Sequence, residues 1–183
     1  FLQIGGDASA KEGWRIAVSM IYGYTKNREK AWEIIEKLGL CSEQESKVQF
    51  TMADRKINAV MSTSAGRLFD AVSAILGIRR QSSFEGEAST ALQFAAEEFE
   101  QKGKLNGNEI WDNVQPVILG LEGRCILNTE ALVKQIVEAK LQGTDSGELA
   151  YLFHQTLAEQ VVAACIEARK SSGRNKTALS GGV

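Results

Sequence analysis

At 183 residues and 44% hydrophobic content the chain is long enough to bury one core, and 21 basic against 23 acidic side chains leave a formal charge of −2 with no basic block. That balance argues against phosphate-backbone binding, so nucleic acid is not the expected partner. Three widely spaced cysteines without a Cys-x-x-Cys pair argue against disulfides and structural zinc and fit a reducing, cytoplasmic compartment, while no run approaches the ~18 apolar residues of a membrane span and the start lacks a signal-peptide layout.

Phe1-Leu2-Gln3-Ile4 reads as a strand. Gly5-Gly6-Asp7 then reads as a tight turn, with Asp7 or Ser9 capping a helix that runs to about Tyr24 and keeps Trp14, Ala17, Met20 and Ile21 on one side. A second helix, Arg28 to Leu38, is expected to bury Trp32, Ile35 and Leu38 and to stop at Gly39. Ser42 opens a third, with Glu45 completing a capping box; its sparse Val48, Met52 and Ile57 suit a surface helix.

The stretch from Ser62 to Ala88 organises the rest. A Thr/Ser-rich turn opens an apolar helix with Leu68, Phe69, Val72, Ile75 and Leu76 at three- and four-residue spacing, Asp70 near its start and Gly77 at its end. After a short polar connection, Phe84-Glu85-Gly86-Glu87 opens another helix, through about Gln101, with Leu92, Phe94, Ala95 and Phe99 on its apolar side. Two such corners at neighbouring helix starts suit a polar ligand, because the first-turn N–H groups have no intrahelical acceptor. Glu97, Glu98 and Glu100 are adjacent in sequence and so point in different directions, as on a solvated face.

From Gly103 to Gly123 the composition shifts to glycine and the only proline, Pro116, and Val117-Ile118-Leu119 is expected to pair with Cys125-Ile126-Leu127 as a hairpin. Asn128 or Thr129 caps a helix whose stripe is Leu132, Val133, Ile136 and Val137, ending at Gly143. The last helix, about Ser146 to Lys170, carries Leu149, Leu152, Phe153, Leu157, Val161, Ala164 and Cys165 inward and should pack on a sheet that Thr177 to Ser180 joins. His154, the only histidine, has no partner ligand at helical spacing and reads as a packing residue. A strand that stops at Gly181-Gly182-Val183 normally continues into a helix, so the chain is expected to be one excised segment of a larger domain, truncated at both ends. Taken alone, these residues leave open a ligand-binding enzyme part and a helical interaction module.

Four stretches in order narrow that choice: Ser62-Thr63-Ser64-Ala65-Gly66-Arg67-Leu68-Phe69-Asp70-Ala71, Phe84-Glu85-Gly86-Glu87-Ala88, Leu152-Phe153-His154-Gln155-Thr156-Leu157-Ala158 and Ala178-Leu179-Ser180-Gly181-Gly182-Val183. With Gly5-Gly6-Asp7 and Gly13-Trp14-Arg15 ahead of them, they resemble the carboxy-terminal half of the HypF family of hydrogenase-maturation carbamoyltransferases, over essentially the whole chain. The resemblance implies an α/β, helix-rich fold: a partial ribonuclease-H-like half of an actin/hexokinase/heat-shock ATPase domain with a helical insertion. That domain type is shared with the enzymes that install threonylcarbamoyl groups on tRNA.

The resemblance also implies a chemistry. Carbamoyl phosphate and ATP give carbamoyl-adenylate in one domain, and the domain seen here passes the carbamoyl group to the C-terminal cysteine thiolate of a partner, HypE. Asp70 matches the carboxylate that holds the nucleotide ribose, a role that suits an anion accepting hydrogen bonds from two vicinal hydroxyls. Gly86 matches the glycine corner that approaches the nucleotide, Gly181 and Gly182 match the turn on the opposite wall, and Glu85 and Glu87 are further nucleotide-binding candidates. Ile4 and Gly13 stand where the family usually has proline, which alters stiffness more than chemistry. The family's divalent-metal ligands would lie before Phe1 and after Val183, so this piece is not expected to turn over alone. A related O-carbamoyltransferase of a small metabolite, or the tRNA-modifying relative, is the neighbouring alternative; the Gly-Arg-Leu-Phe-Asp and Phe-Glu-Gly spellings favour the hydrogenase type.

Overall fold

The computed structural model describes residues 1–102, 117–119 and 124–178. Its elements are β1 (Leu2–Ile4), α1 (Ala8–Lys11), α2 (Gly13–Thr25), α3 (Arg28–Lys37), α4 (Glu43–Arg55), β2 (Ala59–Met61), α5 (Ala65–Ile75), α6 (Glu87–Gln101), β3 (Val117–Leu119), β4 (Arg124–Ile126), α7 (Thr129–Leu141) and α8 (Ser146–Ser172). The fold is α/β and helix-rich. Helix starts follow the capping residues: Asn27 accepts from the Lys30 amide, Ser64 from Arg67, Asn128 from Ala131, and Asp145 from Gly147 and Glu148. The reciprocal box between Ser42 and Glu45 forms in full.

The buried helix α2 is the hub, with β1, α3, α4, α5 and α7 packed around it, and α6 bridges α5 to α8. Ile16, Ile21, Ile35, Leu92, Leu132, Ile136, Leu149 and Phe153 are all fully buried. Each such side chain contributes roughly 1.5–3 kcal/mol of transfer free energy, so helix-on-helix burial rather than sheet pairing carries the fold. The only strand pairs among the described residues are β1 with β2 and β3 with β4, both antiparallel. The second is the hairpin expected from the sequence, its return strand starting one residue earlier, at Arg124.

Several expectations are corrected. The helix proposed to run from Asp7 or Ser9 to Tyr24 is two helices, broken at Glu12 (φ −108°, ψ 78°). The break lets α2 start against α5: a Cβ on Gly13 would lie 2.6 Å from the Asp70 carbonyl oxygen. Neither expected cap acts by the expected bond, since the Asp7 side chain caps nothing and the Ser9 hydroxyl donates back to the Gly6 carbonyl. β2 was not anticipated because its Ala-Val-Met is short and weakly patterned; its pairing, Gln3 with Val60, is decided by β1. On α4 the buried positions are Ser46, Gln49 and Phe50, while Val48 and Ile57 are exposed, so the surface-helix reading holds but its anchor is Phe50. Phe94, expected inside, is 62% exposed, because the buried face of α6 runs through Ala88, Leu92, Ala96 and Phe99. Helix α8 packs on α6, α7 and β4 rather than on a sheet containing Thr177, and Thr177 and Ala178 are exposed and irregular. Leu179 to Val183, including Gly181 and Gly182, lie outside the described residues.

Candidate functional site

Asp70 sits on the buried side of α5 and is only 6% exposed. Its Oδ2 lies 3.1 Å from Arg67 Nη2, one helical turn back. Burial pushes the Asp70 carboxyl up from its ordinary value, and the Arg67 guanidinium opposes that shift. Arg67 reaches a second element, because its Nη1 donates to the Ala10 carbonyl at 2.7 Å. The next carbonyl, Lys11, accepts the Ser82 amide from the connection between α5 and α6, also at 2.7 Å. Two consecutive carbonyls at the end of α1 thus hold both corners singled out from the sequence, the Asp70 helix and the stretch leading to Phe84-Glu85-Gly86-Glu87.

Gly86 has φ +82° and occupies the position before α6, where no side chain caps the first turn. A Cβ there would meet nothing closer than Ser89 Oγ at 3.9 Å. Backbone conformation, not crowding within the chain, therefore calls for glycine at this corner. Glu87 latches the turn shut: its Oε2 accepts from the Ser83 amide and from the Ser83 hydroxyl at 2.9 Å, and Arg79 approaches its other oxygen at 3.5 Å. The Ser83 backbone and side-chain bonds hold its carboxyl below the usual range. Glu85 and Phe84 are exposed on the same turn. The guanidinium of Arg80, from this connection, lies 5.7 Å from the Trp14 ring centre, and that of Arg15 lies 4.6 Å from it, so α2 holds the connection as well.

Of the six candidate positions, Asp70, Glu85, Gly86 and Glu87 fall on two elements tied to one turn of α1, and Gly181 and Gly182 lie outside the described residues. Arg67 was missed as a site residue, although an arginine three positions before a buried aspartate on a helix was a readable signal. The role of the Ala10 and Lys11 carbonyls had no sequence signal, since any residue supplies a carbonyl.

A cleft of about 490 Å³ opens elsewhere, lined by Leu2, Met20, Asp54, Met61 and Val133 among others, and none of the candidate residues lines it. There Tyr22 donates to Asp54 at 2.7 Å and Arg28 bonds the other oxygen, a surface network facing solvent. His154 is a packing residue: its Nδ1 donates to the Ala150 carbonyl at 2.7 Å and its ring meets Phe69 edge-on. Cys41 is buried, and desolvation pushes its thiol up to about 11. Among the described residues no group of three or more His, Cys, Asp or Glu side chains is placed to hold a metal ion, and no helix is long and apolar enough to cross a membrane.

The architecture defines the class, a helix-rich α/β unit. Residues 1–183 match the model of the family described as carbamoyltransferase, Kae1-like domain, second subdomain, and the chain belongs to that family. It is 30% identical over 181 residues to a probable carbamoyltransferase HypF of Methanocaldococcus jannaschii, covering 99% of this chain and 22% of that protein. A carbamoyltransferase HypF homolog of Cupriavidus necator is 29% identical over 181 residues, 97% of this chain and 43% of its own length. The chain therefore spans less than half of either relative. A full-length HypF solved in a phosphate- and nucleotide-bound form superposes with a TM-score of 0.73 at 25% identity, over 94% of this chain and 20% of that one. The HypF of T. kodakarensis shares the fold, with a TM-score of 0.70 at 20% identity, over 94% of this chain and 22% of that one.

Proposed function

We propose that this chain is part of the carbamoyl-transfer domain of a HypF-type enzyme, a partial ribonuclease-H-like half of an actin-like ATPase fold, and that it holds the adenylate of carbamoyl-adenylate. The observation that carries the reading is the pair of adjacent carbonyls, Ala10 and Lys11, that hold the Asp70 helix and the Gly86 connection to one turn, in a chain the family model matches end to end. Asp70 accepts hydrogen bonds from the ribose hydroxyls, and the uncapped first turn of α6 beside Gly86 offers amide donors to the polar part of the ligand. Glu87 keeps that turn closed, while Glu85, Gly181 and Gly182 complete the nucleotide contacts.

The electrophile is made elsewhere in the intact enzyme from carbamoyl phosphate and ATP. In the transfer step the C-terminal cysteine thiolate of a HypE-type acceptor attacks the carbamoyl carbon. A C–S bond forms, the bond from that carbon to the adenylate oxygen breaks, and AMP leaves with the electron pair. The contribution of this chain is positioning, which converts a bimolecular encounter into an oriented one. The divalent metal of the intact enzyme takes its ligands from outside this segment. The proposed setting is the cytoplasm.

The test is made on the intact protein that carries this chain. It should cleave ATP to AMP only with carbamoyl phosphate present, and Asp70→Asn should weaken AMP binding while leaving the thermal transition in place. Equal AMP affinity in Asp70→Asn removes the ribose assignment.

A further inference from the structure

Asp70 is largely shielded from solvent. Its side chain is 8% exposed, and the partner it has is Arg67, itself 19% exposed. The guanidinium is fixed from two sides, by Asp70 Oδ2 at 3.1 Å and by the Ala10 carbonyl at 2.7 Å, so its plane has little freedom. The Arg67 contact falls on Asp70 Oδ2. Ala10 belongs to the same turn that carries Lys11, whose carbonyl tethers Ser82 and with it the approach to Gly86.

We infer that Arg67 is a positioning residue: it holds the Asp70 carboxylate against α1, at a set distance from the Gly86 corner, and thereby determines selectivity for ribose over deoxyribose. The inference rests on the nucleotide reading above. A lysine at 67 keeps a charge near Asp70 but has no planar fork to bond the aspartate and the Ala10 carbonyl together. A methionine keeps an unbranched stem and loses both bonds.

The experiment is calorimetric binding of AMP and of 2′-deoxy-AMP to the intact protein. The wild type should prefer AMP by roughly tenfold or more, the usual cost of losing a hydrogen bond to a charged group. Arg67→Met should bring that ratio close to one, mainly by weakening AMP, and Arg67→Lys should give an intermediate ratio. A general structural role would weaken both ligands alike and leave the ratio unchanged; that result, in either variant, overturns the inference. Should Arg67→Met fail to fold, the ratio in Arg67→Lys decides alone. Asp70→Asn separates the two levels of argument. If it also keeps the full wild-type ratio, the ribose assignment itself has failed; if it abolishes the ratio while the Arg67 variants keep it, only the positioning role has.

Discussion

Two glycines on α2 should respond to alanine with opposite signs. At Gly13 the new Cβ would stand 2.6 Å from the Asp70 carbonyl oxygen, 3.0 Å from its carbon and 3.2 Å from its Cβ. Real Cβ contacts essentially never fall below 3.0 Å, so α2 and α5 must separate by at least about 0.4 Å, and the obstructing atoms include backbone that cannot rotate away. Overpacking of this kind costs ~1–3 kcal/mol, and the helix-propensity gain at a first helical position is too small to offset it. At Gly23, on the exposed side of the same helix, a Cβ meets nothing within 4 Å, and alanine should stabilise by ~0.5–1 kcal/mol. For a chain of this size each kcal/mol moves Tm by about 2–4 °C, so thermal unfolding followed by circular dichroism should show Gly13→Ala melting several degrees low and Gly23→Ala slightly high. Gly13→Ala melting at or above the wild type would refute the close approach of α2 to Asp70.

Removing the capping box by Ser42→Ala should cost about 1 kcal/mol in urea unfolding, because the Glu45 amide loses its acceptor while the Ser42 amide keeps the Glu45 carboxylate. Glu45 is held below its usual range by those same Ser42 bonds, so its stabilisation is present above the unfolded carboxylate value near ~4.3 and is lost as pH falls through the lowered one. Asp70 has the opposite sign: its folded carboxyl is raised, so the native state binds the proton more tightly and the aspartate's contribution declines as pH rises from about 3.9 through the raised value. A plot of the stability difference between Asp70→Asn and wild type should therefore shift in favour of the variant with rising pH, and a shift the other way contradicts the burial argument. With a thiol-alkylating reagent at pH 8, mass spectrometry should find Cys125 and Cys165 modified well before Cys41, whose thiol is both buried and raised to about 11.

Most of the helical layout was legible because local chemistry and burial agree there. Asn128 before Leu132, Val133, Ile136 and Val137 states the start and the buried side of α7, and all four side chains are buried. Ser64 and Gly77 bracket α5 in the same way, with Gly77 at φ +73°. The errors fall where a neighbour overrode the local pattern. Nothing in Glu12-Gly13 forbids a continuous helix; the break follows from the approach to Asp70, 57 residues on. Phe94 is apolar at a helical spacing, yet the buried face of α6 runs through Ala88, Leu92, Ala96 and Phe99.

The candidate site divides the same way. The amino-acid order determined which residue types stand at the two corners, since a carboxylate on an apolar helix and a glycine before a helix start are local chemical facts. It also permitted the positive-φ bend at Gly86, a conformation that glycine takes without strain. Only the tertiary structure decided that both corners hang from one turn of α1, and that Arg67 rather than solvent faces Asp70 Oδ2. Those ties run through backbone carbonyls, which every residue has, and through distances closed across more than fifty residues of chain, which no local pattern encodes.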